Sequence, residues 1–244
     1  VDTDHGRKRR ISPTSCNTDL SCLKGFCPSF VTTTSDAPTG VVDHAALWTA
    51  REAALAAGLT NPVLPSAEQP WRGLFAGVGG GGIVTCGAIV AMAAHLEGRQ
   101  VSTLDFTGLA QKNGAVVSHV QIADAGLDVV RIPQREADLL LAADMAVGAG
   151  TEVLGRCKRD AGAIGNLDLQ PGSAFIRERD LVLDAGLHRR AIARQVSVER
   201  SRFLHGSALS ERLFGNAQAM NTLLLGIAWQ QGLLPVGSGA LMRA

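Results

Sequence analysis

A run of glycines, Gly77-Val78-Gly79-Gly80-Gly81-Gly82, lies between two apolar stretches and constrains this chain more than any other feature. Before it, residues 73–76 read as a short apolar strand. After it, residues 83–96 read as a mainly apolar helix that ends before Gly98. A strand that turns sharply into a helix needs residues able to take positive φ. The run also fits G-x-G-x-x-G, in which bare backbone lets N–H groups approach an anion at a helix N-terminus. Further strands are expected at 101–106, 115–123, 129–132, 137–141 and 161–166. Residues 115–123 alternate apolar and polar, as a half-buried strand would, and 137–141 is the continuous apolar run of a buried parallel strand. Helices at 187–195, 208–214 and 217–231 make the last third helical. The pattern predicts an α/β fold: a doubly wound, mainly parallel sheet with a helical C-terminal part and an irregular cysteine-containing N-terminal segment.

The 244 residues suffice for one large domain, or for one domain and an appendage. Apolar residues make up 46% and charged residues 18%, enough for a real core. Lys+Arg 23 against Asp+Glu 22 leaves +1, which argues against nucleic acid as a partner, and 4% aromatics with no Tyr argue against a base-stacking platform. The longest apolar run, 82–95, is too short to span a membrane. Arg7 to Arg10 are followed by Pro13, Asn17 and Asp19 rather than by the apolar stretch of a signal peptide, so the expected location is cytoplasmic. Three parts are expected: a cysteine-containing segment at 1–40, a helix (43–57, ended by Gly58) and Pro-rich linker at 41–70, and an α/β domain at 71–244. The first residue is Val, which reads as a piece of something larger.

Several residues carry candidate chemistry. Asp105 closes the second strand, 23 residues after Gly82, where a dinucleotide fold places its ribose-binding acid. On that pattern the loop is an NAD or FAD site; the alternative is that its glycines only permit close helix–sheet packing. Cys16, Cys22 and Cys27 fall within twelve residues, and Pro28 follows the last. Such thiolates could hold an iron–sulfur cluster, or zinc with His5 or His44 as fourth ligand, or be buried thiols. Cys86 reads as core, and Cys157, between Arg156 and Lys158, as an ordinary surface thiol rather than an activated one. Ser118 and His119 are strand neighbours and point to opposite faces, so they cannot act as nucleophile and base. Thr107 and Lys112 follow the second strand at its carboxyl end, where open α/β sheets hold ligands.

The segment Asp105-Phe-Thr-Gly-Leu-Ala-Gln-Lys-Asn-Gly-Ala-Val-Val-Ser-His-Val120 alters the odds. With Gly77-Val-Gly-Gly-Gly-Gly-Ile-Val-Thr85 and Met92-Ala-Ala-His-Leu-Glu-Gly98 before it, it resembles the gamma domain of 2-oxoacid:ferredoxin oxidoreductases. The closest resemblance is to the fused indolepyruvate ferredoxin oxidoreductases, whose motifs read GVGGTGVVT, MAAHLEG and TGLAQKGGAVVSHV. Residues 220–235 look like that domain's closing helix, and 15–32 like the fused family's segment between thiamine domain and gamma domain. Gly81 stands for a Thr, Asn113 for a Gly and Asn216 for an Asp.

The resemblance implies a doubly wound unit packed near a thiamine site and associated with coenzyme A access, in which electrons leave through clusters rather than as hydride. Gly77, Gly79, Gly80 and Gly82 would then form a backbone-donor loop for packing or for a CoA phosphate, and Thr107 and Lys112 would face substrate or CoA. One or more of Cys16, Cys22 and Cys27 would complete a [4Fe–4S] cluster whose other ligands lie upstream. Thiamine diphosphate and Mg would sit in the missing domain, since no G-D-G stretch occurs here. The implied partners are that thiamine domain, ferredoxin, CoA and a 2-oxoacid, in a homo-oligomer when complete. The implied whole activity converts an aryl 2-oxoacid such as indolepyruvate, with CoA, to acyl-CoA and CO₂ while reducing ferredoxin; the isolated chain would be inactive. The alternatives are a freestanding dinucleotide-binding module and a non-catalytic assembly subunit.

Overall fold

The computed structural model describes residues 2–7, 58–108, 114–170, 178 and 183–244. Near the N-terminus β1 (Asp2–Thr3) and β2 (Gly6–Arg7) form a small antiparallel pair. The main body runs β3 (Trp71–Val78), α1 (Ile83–Leu96), β4 (Gln100–Thr107), β5 (Ala115–Ala123) and β6 (Ala137–Ala142). It continues through α2 (Met145–Gly148), α3 (Thr151–Leu154), β7 (Cys157–Asn166), α4 (Ala185–Gln195) and β8 (Arg202–Leu204). It closes with α5 (Gly206–Phe214), α6 (Met220–Gln230) and α7 (Ser238–Arg243).

Six strands form one sheet in the order β4-β5-β3-β6-β7-β8. The pairs β3/β6, β6/β7 and β7/β8 are parallel, while β5 runs antiparallel to both β3 and β4. Five strands therefore point one way and β5 alone points back. Packing explains this centre. Leu74, Phe75, Ala76 and Leu139 to Ala142 are fully buried, so β3 and β6 have apolar side chains on both faces and must be covered on both. One core joins α1, α6 and the 233–240 segment to one face, through Phe75, Val90, Val120, Leu141 and Leu224. The other packs Leu74, Leu140, Met145, Ala163 and Ile192 on the opposite face. That is the doubly wound architecture expected.

Helix α1 buries Ile83, Cys86, Gly87, Val90, Ala93 and Ala94, the three-and-four spacing of a single stripe. A Cβ on Gly87 would sit 2.6 Å from Ser118 Oγ, so only glycine lets this helix lie so close to β5. Residues 58–70 follow no regular element but reach the body: Ala67 joins the first core, and Trp71 Nε1 donates to Leu233 O at 3.1 Å.

Three expectations are corrected. Residues 129–132 are not a strand. Their backbone is satisfied by β5 side chains instead: Gln121 Nε2 donates to Val129 O (2.7 Å) and Val130 O (2.8 Å), and Ile132 N–H donates to His119 Nδ1 (3.1 Å). Strand β5 is not half-buried, because Ser118, His119 and Gln121 are as enclosed as their apolar neighbours. Cys157 is no surface thiol: it is fully buried at the start of β7, where its Sγ approaches Val153 O at 3.6 Å and burial pushes its pKa up to about 12. Cys86 is core as expected, its thiol pushed up to about 11 by the same cause.

Candidate functional site at the carboxyl edge of the sheet

The carboxyl ends of β3, β4, β6, β7 and β8 share one edge of the sheet, the edge where α/β folds hold ligands. At its centre β3 gives way to Gly79–Gly82 and then α1. Gly80 and Gly82 adopt φ of +82° and +81°, which side chains rarely tolerate, so the turn needs glycine there. Gly77 has another role. It lies inside β3, and a Cβ there would come within 2.5 Å of Ile83 Cγ1. Its absent side chain seats the first turn of α1 on the strand.

The loop uses some of its donors and leaves others open. Gly79 N–H donates to Gly114 O (2.7 Å) and Gly81 N–H to Val78 O (3.1 Å). The N–H groups of Gly80, Gly82, Ile83, Val84 and Thr85 find no acceptor among the described residues. Helix α1 has no side-chain N-cap and no acid in its first turn, so neither offsets the positive end of its dipole. Asn221, buried at the start of α6, braces the loop by donating Nδ2 to Gly81 O, and its Oδ1 has no partner. An anion with oxygens at this turn would satisfy the open donors.

Asp105 does not belong to this constellation. Strand β5 is inserted between β3 and β4, so the end of β4 lies two strand spacings, about 10 Å, from the end of β3. A dinucleotide fold sets these two strands side by side. Thr107 is exposed at the end of β4, on the same edge but on the far side of β5. Cys16, Cys22, Cys27, Lys112 and the helix expected at 43–57 lie outside the described residues. Among the described residues no group of three or more His, Cys, Asp or Glu could hold a metal ion, and no helix is long and apolar enough to cross a membrane.

Sequence reasoning missed a polar network at the β7 end of the edge. Asn166 is completely buried and spends its whole amide there. Its Nδ2 donates to Ala143 O (3.3 Å), Asp168 O (3.2 Å) and Ser207 Oγ (3.1 Å). Its Oδ1 accepts from the N–H of Asp168 (3.1 Å), Gly206 (2.9 Å) and Ser207 (3.4 Å). Asp168 then caps α5, accepting from Ala208 N–H at 3.0 Å, and holds His205 Nδ1 at 2.6 Å. These residues are some forty positions apart, and no local pattern announces them. Asn216 is a turn former: its Oδ1 accepts from Gln218 and Ala219 N–H ahead of α6.

Elsewhere His119 is a buried structural imidazole. Enclosure, then the charges of Arg156 and Arg131, depress its pKa to about 4, leaving it neutral as the acceptor for Ile132. The same two arginines hold the Glu152 carboxyl below its usual range, Arg156 by hydrogen bond first.

A family model described as pyruvate ferredoxin/flavodoxin oxidoreductase matches residues 72–244. The indolepyruvate oxidoreductase subunit IorB of Archaeoglobus fulgidus is 40% identical over 70 residues, 29% of this chain; the match spans 34% of that relative's length. The pyruvate oxidoreductase subunit PORC of Thermotoga maritima superposes with a TM-score of 0.50 at 15% identity, over 72% of this chain and 83% of that one. The 2-oxoglutarate:ferredoxin oxidoreductase of Magnetococcus marinus, solved with 2-oxoglutarate, coenzyme A and succinyl-CoA bound, superposes at 0.52 with 18% identity, over 72% of this chain and 26% of that one. At these identities the two structures show a common fold.

Proposed function

Because the chain belongs to the pyruvate ferredoxin/flavodoxin oxidoreductase family, we propose that it is the gamma portion of a thiamine-dependent 2-oxoacid:ferredoxin oxidoreductase whose substrate is an aryl 2-oxoacid such as indolepyruvate. The aryl preference rests on the motifs shared with the fused indolepyruvate enzymes and on the likeness to IorB. Within that enzyme, cytoplasmic and oligomeric, the α/β domain at 71–244 supplies the CoA-side wall. Residues 1–40 and 41–70 join it to the thiamine domain, and ferredoxin takes the electrons.

The observation that carries the CoA role is the open N-terminus of α1. Five N–H groups with no acceptor among the described residues, two of them on positive-φ glycines, lie at a helix start with no acid in its first turn and no side-chain cap. Such a turn fits a phosphate of CoA. Asn221, buried beside the turn, braces it through Gly81 O. Thiamine diphosphate, bound in the other domain, supplies the electron sink for loss of CO₂. This chain's residues bind and orient CoA. In this reading one or more of Cys16, Cys22 and Cys27 would complete a [4Fe–4S] cluster whose other ligands lie upstream; counting iron in the complete enzyme with each changed to Ser tests that part, and unchanged iron in all three removes them.

The dinucleotide alternative is disfavoured by β5, which separates Asp105 from the loop. Calorimetric titration of the complete enzyme with CoA and with NADH separates the two readings. CoA should bind, and Gly80→Asp, which places a carboxylate at the anion position, should weaken it by about tenfold or more, roughly 1.4 kcal/mol. Micromolar NADH binding with no CoA binding overturns the proposal.

A further inference from the structure

The His205–Asp168 pair lies on the same edge as the glycine loop and has no part in the role just described. His205 follows β8 and is well exposed, with 69% of its side chain open, yet its ring is not free to turn. Nδ1 meets Asp168 Oδ1 at 2.6 Å. Asp168 is itself fixed, with Oδ2 on Ala208 N–H and its own N–H on Asn166 Oδ1. Asn166 behind it is fully buried and fully bonded. A carboxylate accepts, so Nδ1 is the donor in this contact and Nε2 is the nitrogen left for another partner. The structure thus builds an oriented imidazole: its Nδ1 side is held by an acid, with a rigid amide behind the acid, and Nε2 is the nitrogen left free.

The geometry points to His205 Nε2 as the base that removes the thiol proton of CoA. This rests on the CoA reading above. A free thiol has a pKa of about 8.5 and is mostly protonated at neutral pH, and only the thiolate is nucleophilic. The step moves one proton: the S–H bond breaks, its electron pair stays on sulfur, and an N–H bond forms at Nε2. Asp168 stabilises the resulting imidazolium, as a positioning residue. The carboxyl ends of β3 and β8 are three strand spacings apart, about 14 Å, so the pantetheine arm has an edge to run along from a phosphate at α1. The other titratable groups at this edge are less suited. Asp144 is buried and spent capping Val147 N–H at 3.0 Å, and Asp105 lies beyond β5. Away from this edge, His119 is enclosed in the middle of β5 and Cys157 at the amino end of β7.

The test uses the complete enzyme with CoA and the 2-oxoacid. His205→Gln should lower kcat for acyl-CoA formation by about 10²–10⁴-fold, with CoA affinity by calorimetry held within about twofold. His205→Gly should recover part of its rate with added imidazole. Asp168→Asn should lower kcat with CoA affinity unchanged and without rescue by imidazole, because its histidine is present but in the wrong tautomer. Wild-type kcat in His205→Gln with CoA still bound overturns the assignment and leaves the CoA site standing. Absence of imidazole rescue in a folded, CoA-binding His205→Gly also overturns it. Failure of the wild-type enzyme to bind CoA instead overturns the site reading, and this role with it.

Discussion

Replacing Asn166 with Ala should cost far more than an average substitution, and the reason lies in what the amide holds together. Its side chain ties the end of β7 to the end of β6 at Ala143 O and to the start of α5 at Gly206 and Ser207. Truncation strands the N–H groups of Gly206 and Ser207, both buried, together with that of Asp168, and opens a polar void where every neighbour had been satisfied. A buried donor left unpaired costs about 1–3 kcal/mol. The 3.4 Å bond to Ser207 is weak and water can reach part-buried Asp168, so between one and two full penalties apply. The expected loss is therefore about 2–5 kcal/mol, which for a chain of this size lowers Tm by roughly 5–15 °C. Urea unfolding read by tryptophan fluorescence, with the slope m compared between variants, measures it. Met242→Ala, at an 83% exposed position, serves as the control and should shift stability by no more than about 0.5 kcal/mol. A loss below about 1 kcal/mol in Asn166→Ala at unchanged m would refute the argument that this amide carries the edge.

Other expectations follow from the same structure. His119 has a folded pKa near 4 against an ordinary 6.5, so the fold favours its neutral form. Its stabilisation is complete above pH 6.5 and is lost as pH falls toward 4, by up to about 3 kcal/mol. His119→Phe should be less stable at pH 7, since Ile132 N–H loses its acceptor, and should show a shallower slope of stability between these pH values; an unchanged slope would count against the buried imidazole as its source. Cys86 and Cys157, with thiols pushed up to about 11 and about 12, should resist alkylation at pH 8 until the chain unfolds, as peptide mass spectrometry can read. Gly77→Ala should cost about 1–3 kcal/mol because its Cβ would collide with Ile83 inside the strand–helix seat. Gly80→Ala, open to solvent, should cost only the left-handed strain of about 1–2 kcal/mol, so a larger penalty at Gly80 than at Gly77 would reverse the assigned roles.

Much of the fold was legible because local pattern and local structure coincide. The glycine run, the apolar stripe of α1 and the continuous apolar run of β6 each state their own element, and α1 and β5 occupy the expected residues. Which strand pairs with which is not a local property. The alternation in 115–123 says nothing about direction, so β5's antiparallel place between β3 and β4 was hidden, and with it the separation of Asp105 from the loop. The polar residues of β5 suggested a solvated face, yet Gln121 and His119 turn inward to satisfy the 129–132 backbone, which is also why that segment needs no strand partner. Flanking charges suggested a surface position for Cys157, whereas Lys158 turns away to Asp138 (2.6 Å) and Arg156 to Glu152 (2.7 Å), leaving the thiol enclosed. Of the candidate site, Gly77, Gly79, Gly80, Gly82 and Thr107 stand on the carboxyl edge, whereas the Asn166–Asp168–His205 set depends on a crossover between β7 and β8 that leaves no mark in sequence.

The central claim is that the turn before α1 receives a phosphate of CoA. An electron-density map of the complete enzyme bound to CoA tests it most directly. Phosphate oxygens within hydrogen-bond distance of the Gly80, Gly82 and Val84 N–H groups are the predicted result. CoA seated elsewhere, with those donors turned to protein or solvent, would contradict it.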